Sequence, residues 1–150
     1  MIVELTLNQQ IRRFDVEHDE TLLETLRKHD VMSVKNGCNA SSCGTCTVLV
    51  DGKPMLSCSL LTIRLQQKNI VTVEGLHDEI DKISHYFGLE GADQCGYCNP
   101  GLALAIYALK QQLSNPSSEE IRSFLVGNLC RCSGHQAQFK AVKRYLGDPL

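Results

Sequence analysis

The sequence predicts an α+β protein of two domains, the first a small mixed sheet with one helix and the second a bundle of four helices. Two observations lead to this prediction. Apolar residues alternate with polar ones up to Glu74-Gly75, and after that point they recur with a helical period of about 3.6. Eight cysteines fall into two sets of four, one on each side of that point. We therefore expect a boundary near residues 74–79, with domains at 1–75 and 76–150.

The first strands and the first helix follow from short patterns near the N-terminus. Thr21 and Glu24 have capping-box spacing, and three leucines form the apolar stripe of a helix that ends near His29 or Asp30. A β-rich run at 70–73 predicts a further strand. Two half-buried strands before the helix are predicted by the alternating apolar positions Val3, Leu5, Leu7, Phe14 and Val16.

A hairpin is predicted in the second half of the first domain. The run 47–50 is β-branched and apolar, and it ends in Asp51-Gly52, a strong turn signal. The returning strand then brings Cys58 back toward Cys46. Together these elements predict a mixed sheet packed on one helix, with a cysteine loop at one edge.

Apolar residues at helical spacing predict four helices after the boundary. The second of these is apolar on nearly every face, so we expect it at the centre of the bundle. Asn99-Pro100 supplies its N-cap and first-turn proline, and Ser117 and Ser133 each begin a capping-box pattern for the third and fourth helices. The apolar positions of the first, second and fourth helices include Ile80, Ile83, Phe87, Leu102, Ala105, Ile106, Leu109, Leu113, Phe139, Val142 and Tyr145.

Composition and charge disfavour several classes of partner. The 15 basic and 17 acidic residues give a net charge of −2 without a basic run, so neither nucleic acid nor a membrane surface is expected as a partner. No stretch approaches the roughly 18 apolar residues of a membrane span, and the N-terminus lacks a secretory pattern. We therefore expect a cytoplasmic protein. The chain also lacks G-x-G-x-x-G and P-loop motifs, so we expect no catalytic site within it.

The cysteines predict metal sites, because cytosolic thiols stay reduced and disulfides rarely persist there. Each set of four supplies one complete ligand set, and no cysteine is left over. Structural zinc sites and a disulfide framework are the alternatives that the count alone leaves open. The predicted ligands are Cys38, Cys43, Cys46 and Cys58 in the first set, and Cys95, Cys98, Cys130 and Cys132 in the second.

The spacing of the first set favours iron. It reads C-x₄-C-x₂-C with a fourth cysteine after x₁₁, which is typical of plant-type [2Fe-2S] proteins. Zinc sites usually combine two close pairs instead. Gly37 and Gly44 lie in the loop, where absent side chains let backbone N–H groups approach cluster sulfurs.

The second set, C-x₂-C-x₃₁-C-x-C, lies in the predicted loops between helices. Both of its pairs precede helix N-termini. A [2Fe-2S] cluster with four thiolates is an anion whose negative charge grows on reduction, and helix N-termini stabilise anions. A zinc ion with four thiolates would be stabilised in the same way, so this placement indicates a thiolate-bound metal without identifying iron.

Seven segments of the chain form a longer pattern: Gly37-Cys38, 43–49, Asp51-Gly52, 94–98, Pro100-Gly101, 127–132 and Gly134. Together they resemble the small iron-sulfur subunit of the xanthine dehydrogenase family of molybdenum hydroxylases. The resemblance extends over essentially the whole chain. It implies a ferredoxin-like β-grasp domain followed by a four-helix domain, with one [2Fe-2S] cluster in each.

The resemblance also implies an electron path and the partners that it connects. Electrons leave a molybdopterin on a large subunit, pass singly through the helical-domain cluster and then the β-grasp cluster, and reach FAD on a medium subunit. By family position, Gln94 hydrogen-bonds the pterin and Cys132 lies close to it. The chain is then the electron-transfer subunit of a heteromeric oxidoreductase, and the chemistry of the substrate belongs to cofactors outside it.

The substrate and two other classes of function stay open at this stage. A purine such as xanthine is our first expectation, while aldehydes, N-heterocycles, carbon monoxide and aromatic thioesters are also handled by related enzymes. A free-standing two-cluster carrier and a zinc-stabilised interaction module are the alternative functions. The helical domain argues against the free carrier, because a plant-type ferredoxin needs only the first domain. Ser41, where the family generally has glycine, and His135, where a tyrosine is common, depart from the pattern.

Overall fold

The computed structural model describes residues 1–147, so the last three positions of the predicted 76–150 domain lie outside the described residues. Within 1–147 the chain forms one mixed sheet and five α-helices. The strands are β1 Ile2–Leu7, β2 Gln10–Asp15, β3 Thr47–Val50, β4 Lys53–Leu56 and β5 Asn69–Val71. The helices are α1 Leu22–Lys28, α2 His77–Leu89, α3 Asn99–Gln112, α4 Ser118–Leu125 and α5 Gln136–Tyr145.

The sheet has the strand order β2-β1-β5-β3-β4. β1 and β5 run parallel and the other neighbours are antiparallel, so the predicted mixed sheet is confirmed. The alternating residues of β1 point into a core that they share with the leucines of α1. Burying these side chains is the main stabilisation of this half of the molecule.

α1 begins and ends where its sequence signals predict. The Thr21 hydroxyl accepts a hydrogen bond from the Glu24 amide, while the Glu24 carboxylate accepts one from the Thr21 amide. This reciprocal capping box satisfies two backbone donors that the helix itself cannot use. The C-cap is His29, and Asp30 then takes a positive φ of 64°, which turns the chain out of the helix.

The predicted hairpin is confirmed. Asp51 and Gly52 both have positive φ, at 48° and 80°, between the paired residues Val50 and Lys53. A two-residue turn of this kind matches the twist of the flanking strands. After β4 the chain enters a short 3₁₀ turn at Ser57–Ser59, which carries Cys58 back to the beginning of β3.

The C-terminal half contains the four predicted helices in the expected order. α3 is buried along almost its whole length, which confirms its central position. α2, α4 and α5 pack against it or against each other and share its apolar core. The Ser117 capping box at the start of α4 is also present.

Two predicted helix starts are wrong. Cys98 occupies the N-cap of α3. The Asn99 side-chain amide instead donates a hydrogen bond to Asp93 Oδ1 at 2.9 Å. α5 begins later than predicted, with His135 as its N-cap. Gly134 and His135 both have positive φ, so the chain turns once more after Ser133 before the helix can begin. In both places the cysteine loop determines where the helix starts.

The two halves share an apolar contact. Leu49 of β3 packs with Leu104 and Ala108 of α3, and all three side chains are at most 2% exposed. Since α3 is also the centre of the helical half, this contact holds the sheet directly against the helical core. Within the described residues, no helix has the length and apolar character needed to cross a membrane.

Candidate metal centres

The first centre is built on the loop from Cys38 to Cys43. Asn39 and Ser41 both have a φ of 52°, and this conformation directs backbone amides toward the Cys38 sulfur. The Ala40 and Ser42 amides donate to Cys38 Sγ at 3.4 and 3.5 Å. The Ser42 hydrogen bond contributes most to lowering the pKa of the Cys38 thiol to about 6. The loop is therefore arranged to stabilise a thiolate.

The four predicted ligands of the first centre gather as two pairs. The Cys43 side chain lies close enough to Cys38 to contribute to the lowered pKa of the Cys38 thiol. The sulfurs of Cys46 and Cys58 lie 3.4 Å apart, as the hairpin predicts. Cys46 is only 4% exposed, and its burial raises the pKa of the metal-free thiol to about 11. Cys38 and Cys43 are thus partly exposed, while Cys46 and Cys58 pack against the sheet core.

The second centre has the same paired arrangement. The sulfurs of Cys95 and Cys132 lie 3.5 Å apart on the exposed side, and Cys98 and Cys130 further inside lie close enough for each to affect the pKa of the other thiol. Burial raises the pKa of the metal-free Cys98 thiol to about 11. Cys98 stands at the N-terminus of α3, where the helix dipole favours negative charge.

Two polar side chains reach the sulfurs of the inner pair. Ser133 approaches Cys130 Sγ with its hydroxyl at 3.2 Å and its amide at 3.4 Å. Burial opposes ionisation there, but these hydrogen bonds outweigh it and lower the pKa of the Cys130 thiol. The Gln138 amide donates to Cys98 Sγ at 3.6 Å.

The contact of Gln138 with a cysteine sulfur was not predicted from the sequence, and Ser133 was predicted to have a different role. Ser133 was expected as a helix cap, although its hydroxyl lies against a cysteine sulfur. Gln138 is 4% exposed and lies one turn before Val142 on the apolar stripe of α5. A polar residue at a core position is the signal that could have identified it, because such a side chain needs a buried partner.

The paired donors fit a two-iron cluster. Each iron of a [2Fe-2S] cluster takes two thiolates, so its four cysteines lie as two pairs, whereas a zinc ion draws four thiolates around one point. A tetrahedral metal with bonds of about 2.3 Å holds neighbouring sulfurs roughly 3.8 Å apart. The observed 3.4 and 3.5 Å separations are close to that value. In residues 1–147, no group of three or more His, Cys, Asp or Glu side chains is arranged around a single metal position.

Gln94 and Cys132 lie together at the outer edge of the second centre. The Gln94 side-chain amide donates to the Cys132 carbonyl at 3.3 Å, and both residues are exposed. A groove of about 320 Å³ between α4 and α5 lies on the same half of the molecule. Its lining is mainly apolar and includes Leu129, which is 48% exposed. His135, which stands where the family commonly has a tyrosine, also lines the groove.

Comparisons with known proteins agree with this arrangement. Two protein-family models match the chain: "2Fe-2S iron-sulfur cluster binding domain" over residues 5–69, and "[2Fe-2S] binding domain" over residues 72–143. Each match contains one of the two cysteine sets.

Relatives match over nearly their whole length. The nicotinate dehydrogenase small FeS subunit of Eubacterium barkeri is 37% identical over 144 residues, covering 94% of this chain and 92% of the relative. The xanthine dehydrogenase iron-sulfur-binding subunit of Escherichia coli O157:H7 is 40% identical over 142 residues, covering 89% and 87%. Among solved structures, a chain of quinoline 2-oxidoreductase from Pseudomonas putida 86 has a TM-score of 0.88 at 34% identity, covering 95% of this chain and 90% of that one.

Proposed function

The chain belongs to the family of small [2Fe-2S] subunits of molybdenum hydroxylases of the xanthine dehydrogenase type, and from that premise we propose that it carries single electrons from a molybdopterin centre to FAD or another acceptor. The observation that carries this proposal is the gathering of each cysteine set into two close pairs. When bound, the clusters supply one-electron chemistry. The protein supplies thiolate ligands, N–H donors and a fixed geometry.

We assign one cluster to each domain. Residues 1–75 form the β-grasp domain and residues 76–150 the helical domain, whose described helices we regard as a four-helix bundle. The proposed ligands of the first cluster are Cys38, Cys43, Cys46 and Cys58, and those of the second are Cys95, Cys98, Cys130 and Cys132.

Electrons enter, in this proposal, at the exposed side of the second centre. Gln94 and Cys132 are accessible there, and we propose that the Gln94 amide turns toward the pterin while Cys132 lies close to it. The path then continues to the first centre. The Leu129 amide donates to the Cys43 carbonyl at 2.8 Å, and Leu129 is bonded to Cys130, so one hydrogen bond connects the two ligand sets.

Two partner subunits complete the proposed assembly. The large molybdopterin-binding subunit covers the exposed edge of the second centre, where Leu129 and Val126 are 48% and 76% exposed. The FAD-binding medium subunit lies beside the exposed loop of the first centre. We place the complex in the cytoplasm, where its thiols stay reduced. For the substrate we propose a purine such as xanthine, although relatives include nicotinate and aldehyde enzymes.

The metal content of the complex that co-purifies with this chain tests the proposal. We expect about four iron atoms per chain, together with molybdenum and larger subunits. Iron without molybdenum or partners would indicate a free carrier, and zinc in place of iron would contradict the cluster assignment. Turnover of xanthine, compared with nicotinate and an aldehyde, then tests the substrate.

In the same complex, Gln94→Ala tests the role of that side chain. Both clusters are expected to remain, because Gln94 contributes no ligand, while their reduction by substrate becomes slower. Reduction at the wild-type rate would remove the proposed contact with the pterin.

A further inference from the structure

The two cysteine loops meet at a backbone contact that only glycine permits. A Cβ atom at Gly101 would lie 2.4 Å from the Gly44 carbonyl oxygen and 2.9 Å from the Thr45 carbonyl oxygen. A Cβ atom at Gly44 would lie 2.4 Å from the Gly127 carbonyl oxygen. Gly44 and Gly101 are both buried, and the nearest atom facing each is a backbone oxygen, which cannot rotate away.

Hydrogen bonds also join the two cysteine loops at this contact. The Asn128 side-chain amide donates to the Gly44 carbonyl at 3.2 Å and lies 3.5 Å from the Thr47 hydroxyl. The Tyr97 hydroxyl donates to the Asn36 carbonyl at 2.7 Å. Gly44 directly follows Cys43, and Tyr97 lies between Cys95 and Cys98. These bonds therefore join the ligand loops themselves.

The contact is separate from the apolar packing that holds the two halves together. Leu49, Leu104 and Ala108 bury their side chains between the sheet and α3, and none of them belongs to a cysteine loop. A change at Gly101 or Asn128 removes none of these side chains. Its effect falls on the distance and orientation between the loops.

We infer that Gly101 and Asn128 are positioning residues that fix the separation of the two clusters. This inference rests on the proposed function, since it requires one cluster in each domain. Electron tunnelling falls off exponentially with distance, and the magnetic interaction between two paramagnetic centres falls off as its cube. A methyl group at Gly101 forces the loops apart, and loss of the Asn128 donor releases the Gly44 carbonyl.

Gly101→Ala in the cluster-loaded complex tests the inference, with Gly88→Ala as the matched control. Gly88 also lies in a helix, but a Cβ atom there would meet nothing within 4 Å. Electron paramagnetic resonance of the fully reduced complex reports the interaction between clusters as a splitting of their signals. We expect wild type and Gly88→Ala to share this splitting. We expect Gly101→Ala to keep both clusters, show a smaller splitting and transfer electrons between clusters more slowly.

Asn128→Asp keeps the inference testable if Gly101→Ala fails to assemble its clusters. The substitution preserves size but replaces the donor with a carboxylate that faces the Gly44 carbonyl. We expect the same decrease in splitting with iron content unchanged. Unchanged splitting in either variant that retains both clusters would overturn the inference, as would two unsplit signals in the wild type. A wild type with only one centre would instead overturn the proposed function.

Discussion

Ser41 combines an unfavourable backbone conformation with a contact to Cys58, a proposed cluster ligand. Its φ of 52° lies in the left-handed region, which costs a non-glycine residue about 1–2 kcal/mol. Its hydroxyl lies 3.5 Å from Cys58 Sγ. Against a thiolate the hydroxyl acts as the donor, and donors to cluster sulfurs stabilise the more negative reduced state. The departure from glycine at this position thus has a physical consequence for the first cluster.

We predict that Ser41→Ala lowers the reduction potential of the first cluster and leaves that of the second unchanged. The matched control is Ser59→Ala, because the Ser59 hydroxyl is adjacent to Cys58 in sequence but donates to the Leu56 carbonyl. Potentiometric titration followed by electron paramagnetic resonance measures both potentials. Equal potentials in Ser41→Ala and wild type would show that the hydroxyl does not act on the cluster.

At the residue scale, the gathering of the cysteines into two sets was predictable and their hydrogen-bond partners were not. Cysteine count and spacing predict both ligand sets, because spacing alone decides which thiols one loop can present. Ser133 and Gln138 contact sulfurs only because the chain turns after Ser133 and α5 then crosses Cys98. No local pattern around either residue encodes that tertiary arrangement.

Glu79 links three helices of the C-terminal half. It lies on α2, accepts a hydrogen bond from the Tyr145 hydroxyl of α5 at 2.7 Å, and is 3.5 Å from Lys110 Nζ of α3. The hydrogen bond from Lys82 contributes most to lowering the pKa of the Glu79 carboxyl to about 2, and Tyr145 comes next. Ionised Glu79 therefore stabilises the packing of α2, α3 and α5 against one another.

We predict that Glu79→Gln lowers the free energy of unfolding by about 1.5 kcal/mol near neutral pH, since hydrogen bonds to a charged group contribute roughly that much. The folded pKa lies below the ordinary 4.5, so the stabilisation is present above pH 4.5 and is lost as pH falls toward 2. Thermal unfolding at several pH values measures the difference. Asp81→Asn, an exposed change on the same helix, is the control. A difference from wild type that does not shrink in acid would contradict this role of the charge.

At the element scale, regular capping signals were reliable away from the cysteines. The capping boxes that begin at Thr21 and Ser117 form as predicted, because each needs only four consecutive residues. The predicted starts of α3 and α5 were wrong, because both helices follow a cysteine loop. There, the Asn99 side chain is hydrogen-bonded to Asp93 and the Ser133 hydroxyl to the Cys130 sulfur, so neither side chain caps a helix.

At the scale of the whole molecule, the order of the elements was predictable, but the contact between the two halves was not. The change of hydrophobic period separates sheet from helices along the chain. The close approach of Gly44 and Gly101 joins residues far apart in sequence, and neither glycine differs locally from a turn or helix-start glycine. That contact brings the two cysteine loops together, as the proposed path for electrons between the halves requires.

The central claim is that this chain holds two independent [2Fe-2S] clusters, and electron paramagnetic resonance of the reduced protein tests it most directly. We predict two distinct signals in the wild type, with Cys43→Ser affecting only the first cluster and Cys130→Ser only the second. A single signal that accounts for one centre, or loss of both signals from either substitution, would contradict the claim.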